Sequence, residues 1–207
     1  MPIDPEVAAR VAVALHAISH GESPGEAMRQ AGVTAAEAEL LFRELAPALR
    51  ALRSEVPGKK KKRPAKVGSL EDAVAYSDGG SRGNPGEAAC AVILFDGSGS
   101  ELLRRAKRLG KATNNQAEYE GVIYALELAS QLGAKKLEVK SDSELVVRQL
   151  EGTYKVKNEG LKPYYACANS LVDDFRSVAV THIPRKENKL ADKLVNACLD
   201  DKDLPED

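Results

Sequence analysis

The sequence contains no tryptophan, and aromatic residues make up only 4% of its 207 residues. Apolar residues still account for 43% of the chain, so we expect a core built mainly from aliphatic side chains. No run of about 18 apolar residues occurs, so neither a transmembrane helix nor a membrane partner is expected. The N-terminus also lacks the basic stretch and apolar run of a secretion signal, which favours a cytoplasmic location.

The sequence has only three cysteines, and they are not clustered with histidines. Cys90, Cys167 and Cys198 are scattered, odd in number and surrounded by apolar neighbours, which predicts reduced and buried thiols. A zinc site needs clustered cysteine or histidine ligands, and the sequence offers no such cluster.

The net charge of −1 conceals an uneven distribution along the chain. Residues 1–56 hold five basic and eight acidic side chains, whereas residues 57–66 hold six basic side chains and no acidic one. Residues 67–207 hold 19 basic and 23 acidic side chains. Local charge is therefore a better guide to binding partners than the whole-chain value.

Residues 1–56 are predicted to form a small all-α unit. Ser23 and Pro24 are typical of a helix start, Gly32 of a helix end, and Thr34 with Glu37 of a capping box. Residues 27–45 loosely resemble a helix-turn-helix, which would bind DNA. Acidic residues at the start of the would-be recognition helix oppose that reading, so a structural role, a protein partner or self-association is favoured.

Residues 57–70 are predicted to be a basic linker, because proline, glycine and six cations cannot form a core. Two roles stay open for it, a solvated tether and a sequence-independent attraction to phosphate. Residues 201–207 form an acidic tail.

Residues 71–200 alternate between strand and helix patterns and are predicted to form one α/β domain. The predicted strands are 73–76, 88–95, 101–109, 137–140 and 178–183, and the predicted helices are approximately 115–132, 143–150, 161–175 and 187–199. Three antiparallel strands followed by βα units predict an α/β fold, a mixed five-stranded sheet flanked by helices.

Four acidic residues stand out by position: Asp78, Glu118, Asp142 and Asp192. Two of them follow predicted strands, and the other two continue into apolar helix stripes that face the core. Taken singly, they fit a turn, a buried ion pair, a helix cap and a surface group near a helix N-terminus. Taken together, they would repel one another and attract hard cations such as Mg²⁺ or Mn²⁺, which favour phosphoryl chemistry.

Within the helix predicted at 115–132, Glu118 shares its stripe with Val122 and Leu126. Glu120 and Glu127 lie off that stripe and are predicted to be solvated.

Four segments in order resemble the motifs of the ribonuclease HI family: residues 76–86, 113–118, 141–147 and 188–192. The resemblance covers about 130 residues. It implies an RNase H-like fold and endonucleolytic cleavage of the RNA strand of RNA–DNA hybrids. It further implies catalysis by two Mg²⁺ ions, or Mn²⁺, held with the substrate by the catalytic residues Asp78, Glu118, Asp142 and Asp192.

The resemblance also suggests substrate contacts at Gly79, Gly80, Asn84, Asn114 and Asn115. The amide side chains of the three asparagines can bind 2′-hydroxyls and minor-groove base edges. Helix capping and turn formation explain the same asparagines equally well.

The sequence departs from the family at two places. Many relatives have a histidine after the fifth strand, and here Arg185 is favoured over His182 for that catalytic position. A guanidinium does not exchange protons at neutral pH, but it can stabilise phosphate charge and assist product release. There is also no basic, tryptophan-bearing segment after Asp142. The positive charge in that region is modest and comes from Lys155, Lys157 and Lys162.

Three other functions remain possible from the sequence. The domain could act on double-stranded RNA or RNA–DNA junctions, or it could be a catalytically silent nucleic-acid-binding protein. A helix-turn-helix regulator would require sequence-specific DNA binding by residues 1–56 alone.

Overall fold

The computed structural model describes Arg10, residues 30–33 and residues 70–200. Almost all of the predicted N-terminal unit (1–56) and basic linker (57–70), and the whole acidic tail (201–207), lie outside the described residues. Gln30 is helical, and Gly32, the predicted helix end, has a φ of +67°. The Arg10 guanidinium donates a hydrogen bond of 2.9 Å to the Gly32 carbonyl.

Residues 70–200 contain a five-stranded mixed sheet, as predicted. Its strands are β1 (Asp72–Gly83), β2 (Gly86–Asp96), β3 (Glu101–Ala112), β4 (Lys136–Ser141) and β5 (Ser177–His182). The strand order is β3-β2-β1-β4-β5, with antiparallel pairing in the β1-β2-β3 meander and parallel pairing of β4 with β1 and β5. The parallel strands follow the helical crossovers that parallel pairing requires.

Four helices flank the sheet. They are α1 (Asn114–Gln131), α2 (Glu144–Leu150), α3 (Lys162–Val172) and α4 (Lys189–Leu199), and a 3₁₀ turn covers Arg185–Glu187. Thr113 and Gln116 form a capping box at the start of α1, and Gly133, with a φ of +78°, follows its end. None of the helices in the described residues has the length and apolar character that a membrane crossing requires.

The core is mainly aliphatic and lies on both faces of the sheet. On one face, α1 and α3 pack over residues such as Ala75, Leu94 and Val139. On the other, α4 packs over Ala91 and Ile93. The three cysteines are buried and free, as predicted.

The first strand is longer than predicted, and this corrects the placement of Asp78. The sequence pattern predicts that β1 ends near Tyr76, but antiparallel pairing with β2 continues to Gly83. Asp78 therefore lies inside β1, opposite Ala91. What ends beside it is the parallel pairing with β4, whose last pair is Ser77 with Ser141.

Candidate active site

The register of two parallel strands brings Asp78 and Asp142 to the same level. Ser77 in β1 pairs with Ser141 in β4, and each serine is followed directly by an aspartate. Since β4 ends at Ser141, β1 has no parallel neighbour beyond this point. Both aspartates therefore border the same gap in the sheet.

Two glycines allow α1 to approach β1 so closely that Glu118 of α1 lies near Asp78 of β1. A Cβ atom on Gly79 would lie 2.1 Å from the carbonyl carbon of Ala117. A Cβ atom on Gly121 would lie 2.9 Å from the carbonyl oxygen of Asp78. Only glycine permits contacts as short as these, so the helix backbone rests directly on the strand.

The fourth acid, Asp192, comes from the first turn of α4. Its Oδ1 atom forms an ion pair of 2.9 Å with Arg185 Nη2. The Arg185 side chain is 81% exposed on the 3₁₀ turn that precedes α4. The positively charged Arg185 side chain therefore lies at the surface of the site, next to Asp192.

The electrostatics of the site are dominated by burial and by repulsion between the acids. Burial, followed by the charges of Asp142 and Asp192, raises the pKa of Asp78 to about 7. Burial, followed by the charges of Asp78 and Asp142, raises the pKa of Glu118 to about 9. A hydrogen bond from the Gly79 backbone N–H and the charge of Arg185 offset both shifts only in part.

The residues present fit a divalent cation. Their donors are all carboxylate oxygens, and Glu118 Oε2 is buried without a hydrogen-bond partner. Within the part of the chain that the structure describes, no three His, Cys, Asp or Glu side chains are already arranged as a metal-ligand set. Two of the acids are bound to protein groups instead, Asp142 to Asn188 and Asp192 to Arg185.

The predicted substrate-contact residues fall into two groups. Asn84 Oδ1 accepts a hydrogen bond of 3.2 Å from the Asn114 backbone N–H, and Asn115 is exposed beside them. Gly79 is buried under α1, whereas a Cβ atom on Gly80 would meet only a Val195 methyl group, at 3.3 Å. Packing alone therefore accounts for Gly79.

The alternative to Arg185 is His182, which the structure places at the end of β5. It pairs with Ser141 in the parallel register and its side chain is exposed. The structure gives Arg185, and not His182, a direct bond to one of the four acids.

Two residues near the site differ from the sequence-based expectation. Glu120 was expected to be solvated, but it is 1% exposed and forms a 3.1 Å ion pair with Lys107. Helical periodicity does not predict this burial, because α1 is buried on several sides and not on one stripe alone. Lys107 comes from β3. The second residue is Asn188, for which the sequence predicts no role beyond membership of the motif at 188–192. Its side chain donates a hydrogen bond to Asp142.

The sequence comparisons agree with this architecture. A family model described as reverse transcriptase-like matches residues 76–198, more than half of the chain. Ribonuclease HI of Halobacterium salinarum is 42% identical over 127 residues, which cover 61% of this chain and 64% of the relative. A bifunctional protein of Mycobacterium tuberculosis is 42% identical over 128 residues, which cover 61% of this chain and 35% of the relative. The chain thus spans less than two thirds of the length of these curated relatives.

Solved structures show the same fold at similar identity. RNase H1 of Halobacterium salinarum superposes with a TM-score of 0.62 at 42% identity, covering 63% of this chain and 98% of that one. LC11-RNase H1, solved in complex with an RNA/DNA hybrid, gives a TM-score of 0.59 at 41% identity, covering 62% of this chain and 97% of that one. From its strand order, its motifs and these matches, the chain belongs to the ribonuclease HI family, within the reverse transcriptase-like group.

Proposed function

We propose that this chain is an endoribonuclease that hydrolyses the RNA strand of RNA–DNA hybrids with divalent metal ions. The observation that supports this most directly is the electrostatic coupling of the acids: burial and the charges of Asp142 and Asp192 raise the pKa of Asp78, and burial and the charges of Asp78 and Asp142 raise the pKa of Glu118. The ionised form of acids in such surroundings is stabilised by a bound cation. The substrate class is supported by LC11-RNase H1, whose structure contains an RNA/DNA hybrid.

Enzymes of this family generally use divalent metal ions. We propose Mg²⁺, with Mn²⁺ as a substitute, and two ions per site when substrate is bound. Asp78, Glu118, Asp142 and Asp192 would be their ligands. When bound, such ions lower the pKa of a water molecule and stabilise the leaving oxygen. The chain's own contribution is to bring these acids from separate elements, with Asp78 in β1, Glu118 in α1, Asp142 just after β4 and Asp192 in the first turn of α4.

Arg185 is proposed to act on the phosphate. Its guanidinium is exposed and lies next to Asp192, so it can reach an anionic group bound there. It cannot accept a proton from water at neutral pH, so proton transfer falls to water or to the phosphate itself. His182 at the end of β5 is the alternative residue for this step.

Asn84, Asn114 and Asn115 are proposed to contact the RNA strand. The hydrogen bond between Asn84 and the Asn114 backbone brings amide groups from the β1–β2 turn and from the start of α1 together at the surface. Amide groups can bind the 2′-hydroxyls that distinguish RNA from DNA. For Gly79 and Gly80, a substrate role would be additional to their packing against α1 and α4.

A cleavage panel tests the proposal. End-labelled RNA–DNA hybrid, double-stranded RNA and RNA–DNA junction substrates are incubated with Mg²⁺, Mn²⁺ or EDTA. We expect the RNA strand of the hybrid to be cut, leaving 3′-hydroxyl and 5′-phosphate ends, and no cutting in EDTA. Preferential cutting of double-stranded RNA or of junctions would instead assign one of the alternative substrates.

Asp142→Asn tests the assignment of the acids. We expect it to abolish cleavage while the circular dichroism spectrum stays unchanged, because the fold does not depend on this charge. Asp173→Asn, which changes an exposed acid after α3, is the matched control and should cleave normally. Normal cleavage by Asp142→Asn would contradict the assignment.

A further inference from the structure

Asn188 is a buried polar residue located where β1, β4 and α4 meet. Its side chain is enclosed, with the residue only 1% exposed. Its Nδ2 atom donates hydrogen bonds to two acceptors: the Ser77 carbonyl oxygen at 2.9 Å and Asp142 Oδ1 at 2.6 Å. One amide group thus joins the peptide next to Asp78 to the carboxylate of Asp142.

Helix capping does not explain this residue. Asn188 is the N-cap of α4, where an asparagine side chain usually accepts a hydrogen bond from a backbone N–H of the first turn. No such bond is formed here, and the amide points to the acids instead. Its Oδ1 atom is also buried without a hydrogen-bond partner, which costs free energy, so this placement of the side chain does not serve stability alone.

The backbone of Asn188 extends the same connection to a third acid. Its carbonyl oxygen accepts a 3.1 Å hydrogen bond from the Asp192 N–H. Asn188 therefore contacts Asp142 by its side chain and Asp192 by its main chain, and it neighbours Asp78 through Ser77. An uncharged donor suits this position, because a fifth carboxylate would add repulsion and a lysine would compete with a bound cation.

We infer that Asn188 is a positioning residue, which fixes Asp142 with one oxygen bound to the amide and the other free to bind a cation. The inference rests on the proposed metal-dependent function. It places Asn188 outside the set of groups that contact the metal or the substrate, and it assigns the residue an effect on metal affinity through Asp142.

The test uses the full-length chain without substrate, and its main readout is Mn²⁺ binding by titration calorimetry. Asn188→Ala removes both hydrogen bonds. Asn188→Ser also removes them, because serine is too short to reach Asp142, but serine is itself favoured at the N-cap position of a helix such as α4. Asn169→Ala is the matched control, since Asn169 donates a 3.0 Å hydrogen bond to the Tyr165 carbonyl within α3, away from the acids.

We expect both Asn188 variants to bind Mn²⁺ about 10- to 100-fold more weakly than the wild type, the range seen when a hydrogen-bond partner of a metal ligand is removed. Their cleavage should need correspondingly more metal, while KM for the hybrid stays within about twofold of the wild type. The control should match the wild type in both measurements. A purely structural role would lower the melting temperature and leave Mn²⁺ affinity unchanged in the folded protein.

Wild-type Mn²⁺ affinity in Asn188→Ser would overturn the inference, and if Asn188→Ala does not fold, Asn188→Ser alone decides. Failure of the proposed function has a different signature. In that case the wild type would not cut the hybrid in the cleavage panel, whatever the Asn188 variants bind.

Discussion

At the scale of single residues, the site is defined by acids that the protein holds in unfavourable surroundings. Asp78 and Glu118 have raised pKa values because they are buried and lie next to other carboxylates. A raised pKa means that the folded protein binds protons more tightly than the unfolded chain. The ionised acids therefore lower the free energy of unfolding, and bound protons or cations would restore it.

This predicts how stability depends on pH in EDTA. The contribution of Asp78 is favourable at low pH and is lost as the pH rises from about 4 to its folded-state pKa of about 7. Asp78→Asn lacks this loss, so it should be more stable than the wild type at pH 8 by more than about 2 kcal/mol, and the advantage should shrink towards pH 4. Urea denaturation at several pH values measures the difference. An exposed control, Glu87→Gln, should show none, and a pH-independent gain in Asp78→Asn would contradict the prediction.

Arg185 gives a second prediction at this scale. If its guanidinium stabilises phosphate charge, Arg185→Ala should lower kcat about 100-fold, the typical cost of removing one electrostatic donor. His182→Ala, at the neighbouring exposed position, should stay within about twofold of the wild type. Steady-state cleavage kinetics with saturating Mg²⁺ measures both. The reverse ranking of the two variants would assign the step to His182.

The ion pair of half-buried Lys107 with buried Glu120 gives a third prediction. Lys107→Met would leave a buried carboxylate without its partner, which costs about 3–5 kcal/mol. Lys107→Met combined with Glu120→Leu should recover most of that loss. Lys136→Met, which breaks the exposed ion pair with Asp72, should change stability by less than about 1 kcal/mol. Urea denaturation of the four proteins tests the ranking, and equal losses in the two lysine variants would refute it.

The residue scale also shows what the sequence could and could not predict. The four acids could be proposed from the sequence because each follows a predicted strand or begins an apolar helix stripe within a family motif. Glu120 was not, because helical periodicity identifies one buried stripe and assumes that the other faces are solvated. The repeated Ser-Asp pairs at 77–78 and 141–142 were a usable signal for the shared register, but only once β1 and β4 are known to be neighbours.

At the scale of secondary-structure elements, the close approach of α1 to β1 determines where Glu118 lies. The start and end of α1 were predictable from Thr113 and Gly133, since capping and helix termination depend on local sequence. The full length of β1 was not, because its second half is held by pairing with β2 and not by its own hydrophobic pattern. The late start of α4 has a similar cause, since a 3₁₀ turn precedes it.

This close approach predicts that Gly79 is intolerant of a side chain. In Gly79→Ala the new Cβ would lie 2.1 Å from main-chain atoms of Ala117, which cannot move without displacing the helix. We expect a loss of about 3 kcal/mol or more. Gly80→Ala, whose Cβ would meet only a Val195 methyl group at 3.3 Å, should lose less than about 1 kcal/mol. Thermal unfolding distinguishes them, and similar melting temperatures would contradict this account of α1.

At the scale of the whole molecule, the cations of residues 57–66 contrast with the acidic character of the rest of the chain. The proposed substrate is a polyanion, and attraction of a basic segment to phosphate releases counterions. Composition and charge were enough to propose this role.

Replacing the six basic residues of the linker by glutamine tests that role. The residues are Lys59, Lys60, Lys61, Lys62, Arg63 and Lys66. We expect weaker binding of the hybrid and an unchanged kcat. The slope of log affinity against log salt should become shallower by about 0.9 for each phosphate that the variant no longer neutralises. Binding titrations at several salt concentrations, with a catalytically inactive background such as Asp142→Asn, measure the slope. An unaltered slope would leave the linker as a simple tether.

The pairing of Ser77 with Ser141 links the proposed metal site to strand alignment. Side chains alternate between the two faces of a sheet, so a slip of β4 by one position would turn Asp142 away from Asp78 and move it about 3.3 Å along the strand. The same slip would expose the buried Leu137 and Val139. Burial of the apolar residues of β4 therefore fixes the alignment that places Asp142 beside Asp78. A chain with β4 out of register would lose both this burial and the proposed metal site.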